Sequence, residues 1–269
     1  MSLQQEIIDR LRVKPVIDVE EEVRIRVDFL KEFVKSSRTT GLLVAISGGI
    51  DSAVATGLCK KASDELSRES GRDYITLGVF QPYGDREDIV HSYEVAKAFE
   101  LSHTVETNIE EAVDEIALEV EYGLKNIGQF RHMSPQGKDH VKARTGTAVQ
   151  YALAFELNLL VVGTYHASEV FTGFYSGHGD GGGDITPLSS LNKRQICQLA
   201  AYLGVPESMI DKEPTAGLGE GQRNEKEPGI SNEDICDYLE GKEVDSAIRE
   251  RLESFYRKTE SKRNPIPGI

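Results

Sequence analysis

The chain has 269 residues, 39% of them apolar and 28% charged, and a formal net charge of -14. This composition suits a water-soluble globular protein, since no apolar run approaches the ~20 residues that cross a bilayer, and MSLQQEIIDRLRVK carries acidic residues where a secretory leader is apolar. The negative charge opposes association with phosphate backbones, so the expectation is a cytoplasmic protein with no membrane or nucleic-acid partner.

In chain order, Asp18 can cap a helix whose Val23, Val27, Leu30 and Phe33 share an apolar face. The run Leu42 to Ile46 reads as a short strand, followed by a helix from about Asp51. A strand over Tyr74 to Phe80, a helix over Arg86 to Phe99 and a strand near Thr104 to Glu106 come next. Helices over Ile109 to Tyr122 and Lys138 to Leu157 precede Leu159 to Val162, an apolar run typical of a strand buried on both faces. This alternation predicts an α/β fold, a parallel sheet flanked by helices, with a helical C-terminal part and one domain over residues 1–269. Cys59, Cys197 and Cys236 lie far apart in helical patterns and imply neither disulfides nor zinc.

The segment LLVAISGGIDSAVATGL, Leu42 to Leu58, carries the chemistry. Gly48 and Gly49 allow a tight strand-to-helix turn, its successive N–H groups face an anion at the helix start, and Ser47 and Ser52 add hydroxyls. Asp51 places a carboxylate where phosphates would sit, which makes sense if it holds a divalent cation. A nucleoside triphosphate with Mg²⁺ is the ligand this predicts. No Gly-Lys-Ser/Thr follows, so this is not a Walker A loop, and the third glycine of a dinucleotide fingerprint is missing.

The SGGIDS segment resembles the pyrophosphate loop of the N-type ATP pyrophosphatases. The run VVGTYHASEVFTGFYSGHGDGGGDITPLSSLNKRQ, with VKAR, LGVPESMIDKEPTAGL, GISNEDICDYLEGKEV and KTESKR, is similar to ammonia-dependent NAD synthetases over most of the chain. The resemblance implies a Rossmann-like, adenine nucleotide α-hydrolase-like fold without the amidohydrolase domain of glutamine-dependent relatives. It also implies a homodimer that amidates deamido-NAD with ammonia and ATP. It assigns the ATP phosphates and nucleotide to Ser47, Gly48, Gly49, Asp51, Ser52, Thr164, Lys193 and Thr215. Mg²⁺ falls to Asp51 and Glu169, and deamido-NAD to Arg144, Asp184, Ser261 and Lys262. Asp51 and Lys193 are the catalytic pair, Lys193 countering charge on the departing pyrophosphate. Each has a plainer reading: Glu169 as a solvated helix residue, Asp184 as a turn former, Lys193 as a first-turn lysine. His166 receives no catalytic role, and His132 and His178 read as loop residues.

The chain departs from the family pattern at four places. Ile50 replaces Gln or Val, and Tyr165 replaces Asp. Gly177 stands where a lysine contacts the dinucleotide, and Ser261 replaces the histidine of KTEHKR, after which the usual aromatic tail is missing. A relative acting on another carboxylate, or one that binds nucleotide without turnover, is the alternative. The polar, Gly/Pro-rich segment Lys212 to Pro228, which contains Thr215, is expected to be a lid over ATP.

Overall fold

A computed structural model of the chain describes residues 2–84, 89–210, 230–264 and 268. The elements are α1 (Leu3–Leu11), α2 (Val19–Ser37), β1 (Gly41–Ala45), α3 (Ile50–Ser70), β2 (Ile75–Phe80), α4 (Ile89–Ala98), β3 (His103–Glu106), α5 (Glu110–Asn126) and α6 (Pro135–Leu157). They continue with β4 (Leu160–Val162), α7 (Ala167–Thr172), α8 (Lys193–Leu203), α9 (Glu207–Ile210), α10 (Asn232–Leu239), α11 (Ser246–Lys258) and a 3₁₀ turn at Glu260–Lys262.

All strand pairings are parallel, in the order β3-β2-β1-β4. Successive side chains of β1 point to opposite faces, as the pleat requires. Leu42 and Val44 join the core beneath α2, α3 and α8, while Leu43 packs with Leu77, Val79, Val161 and Ala154 of α6. Both faces of the sheet are therefore covered, which parallel strands need. The chain leaves β1 towards β2 on one side, and β4 returns on the other. The carboxyl ends of β1 and β4 thus flank the point where strand order reverses, the usual position of a ligand crevice.

Local chemistry accounts for the boundaries. The Asp18 side chain accepts from the Glu21 N–H and starts α2, and Ser134 does the same for α6, whose first residue is Pro135. The expected inner face of α2 needs one correction. Val34, with no exposed surface, takes the core position, and Phe33 lies outside with 42% exposure, because Val23, Val27, Leu30 and Val34 follow the 3.6-residue period more closely. Helix α6 begins three residues before the expected start, since Ser134-Pro135 is the stronger start signal. The residues before Ile89 in the expected helix over Arg86 to Phe99, and the proposed lid with Thr215, lie outside the described residues.

A second apolar cluster joins α1 to the C-terminal helices. Ile7, Leu11, Phe171, Ile235, Tyr238, Leu252 and Tyr256 are all buried together, with Phe171 of the short α7 at the centre. Packing of α1, α10 and α11 on α7 fixes the short element that carries Glu169. No described helix is long and apolar enough to cross a membrane.

Candidate active site

The loop after β1 is bound to itself. Gly48 has φ +78, a conformation that side chains disfavour, and a Cβ there would come within 3.1 Å of His91 Cβ. The Ser47 N–H donates to Ser52 Oγ at 3.2 Å, Ser52 Oγ donates to the Gly49 carbonyl at 2.9 Å, and the two serine hydroxyls are 3.1 Å apart. Gly49 is the N-cap of α3 and supplies no side-chain acceptor. The first amides of a 21-residue helix thus keep their capacity for an anion.

Asp51 stands in the first turn of α3, and Lys193 at the start of α8 reaches it across the crevice. The Lys193 ammonium donates to both Asp51 oxygens, at 2.7 and 2.8 Å. Placement of Lys193 depends on the joint between α7 and α8. The Ala167 N–H donates to the Leu191 carbonyl, the Lys193 N–H donates to Ser168 Oγ, and Asn192 with Gln195 forms a reciprocal cap that starts α8.

Gly163, Thr164 and Tyr165 follow the carboxyl end of β4, which pairs with β1, the strand that runs into the serine loop. His166 then caps α7, and the Glu169 carboxylate accepts from the His166 backbone N–H at 3.2 Å. His166 Nε2 lies 3.5 Å from Asp51 Oδ1 and 3.7 Å from Glu169 Oε2. Donor atoms of Asp51, His166 and Glu169 all fall within 4.8 Å of one another.

Burial and charge act against each other here. Burial would raise the Asp51 carboxyl, but the Lys193 ammonium, aided by His166, holds it below the usual range. Burial, then the neighbouring Asp51 charge, pushes Glu169 above the usual carboxylate range. Burial lowers His166 to about 4, so its imidazole is neutral at neutral pH. For Lys193 the attraction of Asp51 outweighs burial and raises its pKa. The crevice therefore holds one satisfied carboxylate and one that lacks a cation: among the described residues Glu169 pairs with no lysine or arginine.

Residues 22–266 match the model of the NAD synthase family. The chain belongs to this family. It is 43% identical over 268 residues to an NH₃-dependent NAD⁺ synthetase of Limosilactobacillus fermentum, covering 98% of this chain and 95% of that one. An NH₃-dependent NAD⁺ synthetase of Vibrio atlanticus is 38% identical, with 99% of each chain covered. Among solved structures, NAD⁺ synthetase from Burkholderia pseudomallei matches with a TM-score of 0.82 at 33% identity, over 97% of this chain and 95% of that one. NMN synthetase from Francisella tularensis matches with a TM-score of 0.81 at 27% identity, over 94% and 99%. The fold is accordingly the Rossmann-like adenine nucleotide α-hydrolase type, and the chain is an enzyme of the NAD synthase family.

The residues that family resemblance assigns to deamido-NAD form a second group. Arg144 on α6 is exposed and donates to the carbonyls of His140 and Gly177, at 3.2 and 3.4 Å. Lys262 donates to the carbonyls of Gly173 and Tyr175, and the Tyr175 hydroxyl donates back to the Lys262 carbonyl at 2.6 Å. Ser261 beside it is exposed. The C-terminal segment is thus tied to the loop after α7, and Tyr175 lies parallel to Tyr165 with ring centroids 5.9 Å apart. Asp184 is bound to the edge of the sheet. Its carboxylate accepts from the Val161 N–H at 2.8 Å and the Tyr151 hydroxyl at 3.3 Å, so it also closes the edge of β4, where Ile185 pairs in parallel with Val162.

Sequence reasoning brought Asp51, Glu169, Lys193 and the serine loop to one place, but not the direct Asp51–Lys193 ion pair. It also set His166 aside, although an imidazole three residues before Glu169, at the helix start, was the available signal.

Proposed function

We propose that the chain amidates deamido-NAD with ammonia at the expense of ATP, in two steps through an acyl-adenylate. The observation that carries this reading is the convergence of Asp51, Lys193 and Glu169 on the uncapped start of α3, in a chain of the NAD synthase family. The amides and hydroxyls of Ser47, Gly48, Gly49 and Ser52 receive the ATP phosphates, with Thr164 on the nucleotide. Thr215, outside the described residues, is assigned to the phosphates on resemblance alone.

Asp51 and Glu169 fit Mg²⁺, because they offer two hard oxygens close together and leave positions for phosphate and water. Bound there, Mg²⁺ would offset phosphate charge as the α–β bond breaks. The chain's own residues do the positioning. Arg144, Asp184, Ser261 and Lys262 hold deamido-NAD so that an oxygen of its nicotinate carboxylate bonds to the α-phosphorus, and the bond to the β-phosphate oxygen breaks. Lys193 stabilises the charge that gathers on the leaving pyrophosphate. Ammonia then attacks the acyl carbon, loses a proton and expels AMP, leaving the amide. No protein nucleophile takes part, and the gain comes from holding two anions in line.

Exposed Leu118 and Tyr122, four residues apart on α5, and Tyr151 and Phe155, four apart on α6, are apolar groups of the sort a second copy covers, in keeping with a homodimer. A second reading rests on Gly177, where the family lysine is missing: the acceptor is then a related nicotinate carboxylate, such as a mononucleotide. Pyrophosphate release from MgATP, measured with deamido-NAD, nicotinate mononucleotide and no acceptor, separates the two. Release that depends on deamido-NAD supports the first, and release only with the mononucleotide supports the second.

A further inference from the structure

We propose that His166 is a positioning residue that donates an Nε2–H towards the Asp51 and Glu169 carboxylates, and that it is not itself a ligand of the cation. This rests on the reading of Asp51 and Glu169 as the cation-holding pair, and it concerns the third group that shares their space. By distance alone His166 would complete a two-carboxylate, one-imidazole metal set, since its Nε2 lies with their oxygens inside 4.8 Å. The other ring nitrogen argues otherwise.

The His166 side chain is only 5% exposed, and its Nδ1 is a buried atom that meets no hydrogen-bond partner among the described residues. An imidazole that ligates a metal through Nε2 must carry its proton on Nδ1, and such rings almost always donate that proton to a carboxylate, carbonyl or water. Here the proton would be buried with nothing to accept it. At the same time the Nε2 lone pair would face Oδ1 of the ionised Asp51 at 3.5 Å, an arrangement of like-signed charge density. Moving the proton to Nε2 reverses both terms. The N–H then points at two oxygens, and Nδ1 is left with an unshared pair, a lesser fault than a stranded donor.

The backbone explains how the ring keeps that direction. His166 is the N-cap of α7, its own N–H is taken by Glu169, and its carbonyl accepts from the N–H groups of Glu169 and Val170. The imidazole is therefore anchored to the same turn that carries Glu169 and is aimed across the crevice at Asp51. Lys193 already donates to both Asp51 oxygens. Asp51 thus has both the Lys193 ammonium and the His166 Nε2 edge beside it, and a neutral His166 sets an N–H near both carboxylates without adding a positive charge that would compete with a cation.

The test begins with the wild-type protein and needs no turnover. Long-range ¹H–¹⁵N correlation on histidine-labelled protein reads which ring nitrogen carries the proton. The expected result is the Nε2–H tautomer for His166, retained when Mg²⁺ and a non-hydrolysable ATP analogue are added. An Nδ1–H tautomer in either state would overturn the proposal. Two variants then test the role. His166→Phe removes the donor and should raise the half-saturating concentrations of both Mg²⁺ and Mn²⁺, the latter read by electron paramagnetic resonance, by a similar factor of about tenfold. His166→Gln, which restores an N–H at comparable reach, should recover most of that loss. A loss confined to Mn²⁺ would mark the imidazole as a ligand, and unchanged binding of both ions in His166→Phe would remove the positioning role.

Discussion

Lys193 and Asp51, 142 residues apart in sequence, form a bidentate ion pair across the crevice between α8 and α3. Their side chains are only 16% and 23% exposed, so each leaves the other poorly compensated if removed. Asp51→Asn should therefore stop Mg²⁺-dependent turnover and also lower stability, by about 1–3 kcal/mol. Lys193→Met should cost a similar amount and reduce kcat by about 10²–10³-fold. The double variant should regain much of the stability and none of the activity. Urea unfolding of the four proteins, set beside their rates, checks this, and additive losses of stability would count against a coupled pair.

A second ion pair fixes α2 on α3 and gives a pH dependence away from the site. Glu65 receives Arg24 through both oxygens, at 2.8 and 2.9 Å, and Lys31 at 2.9 Å. The hydrogen bonds from Arg24 hold its carboxyl down to about 2, against an ordinary value of 4.5. A lowered carboxylate pKa contributes stability that is present above the unfolded value and is lost as pH falls from there towards the folded value. Glu65→Gln should cost about 1–2 kcal/mol at pH 7, a figure reduced because Arg24 is 42% exposed and screened. The gap from the wild type should narrow between pH 5 and pH 3. Denaturant unfolding at the two pH values gives the answer, and an undiminished gap at pH 3 would refute the assignment.

Gly173 closes α7 with φ +71, and a Cβ on it would fall 2.4 Å from Thr259 Cβ. Both the conformation and the contact resist a side chain. Gly173→Ala should destabilise the protein by about 1–3 kcal/mol and push the segment bearing Lys262 away from the Tyr175 loop. The Michaelis constant for deamido-NAD should rise more than that for ATP. Equal changes in the two constants would show that the C-terminal segment does not serve the acceptor selectively.

Gly177 is exposed, and a Cβ there meets no heavy atom within 4 Å. A lysine at this position is sterically free to form, beside Arg144, a charge-assisted contact with a dinucleotide phosphate, which contributes about 1.5–3 kcal/mol, or roughly tenfold or more in affinity. Gly177→Lys should tighten deamido-NAD with little effect on ATP. If the acceptor is another carboxylate, the substitution gives no benefit with deamido-NAD, and steady-state kinetics distinguishes the outcomes.

Much of this architecture was legible from residue patterns because each signal was local. The Leu42–Ile46 run, the Gly-Gly turn and Asp18 before an apolar-periodic segment each act within a few residues of themselves. Phe33 and Val34 are both apolar, which makes Phe33 look like an inner residue, but it lies about 100° round the helix from Val34, and the period set by Val23, Val27 and Leu30 selects Val34. The site divides in the same way. Ser47 to Ser52 could be read from one turn, whereas the grip of Lys193 on Asp51 depends on the joint of α7 and α8, set by Leu191, Ser168 and the Asn192 cap. Asp184 shows the reverse case: a short glycine-flanked carboxylate looks like a ligand contact or a turn, and the Val161 N–H that it accepts from belongs to a strand 23 residues earlier.

The claim that the acceptor carboxylate is adenylated before ammonia attacks is tested most directly by isotope transfer. Deamido-NAD labelled with ¹⁸O in both nicotinate carboxylate oxygens is incubated with the purified protein, MgATP and ammonia, and the products are weighed by mass spectrometry. The account predicts NAD that keeps one label in its amide oxygen, AMP that carries the other on its phosphate, and unlabelled pyrophosphate. NAD formed alongside unlabelled AMP would contradict the acyl-adenylate, and a failure to form NAD, with another nicotinate carboxylate passing its label to AMP, would contradict the choice of acceptor.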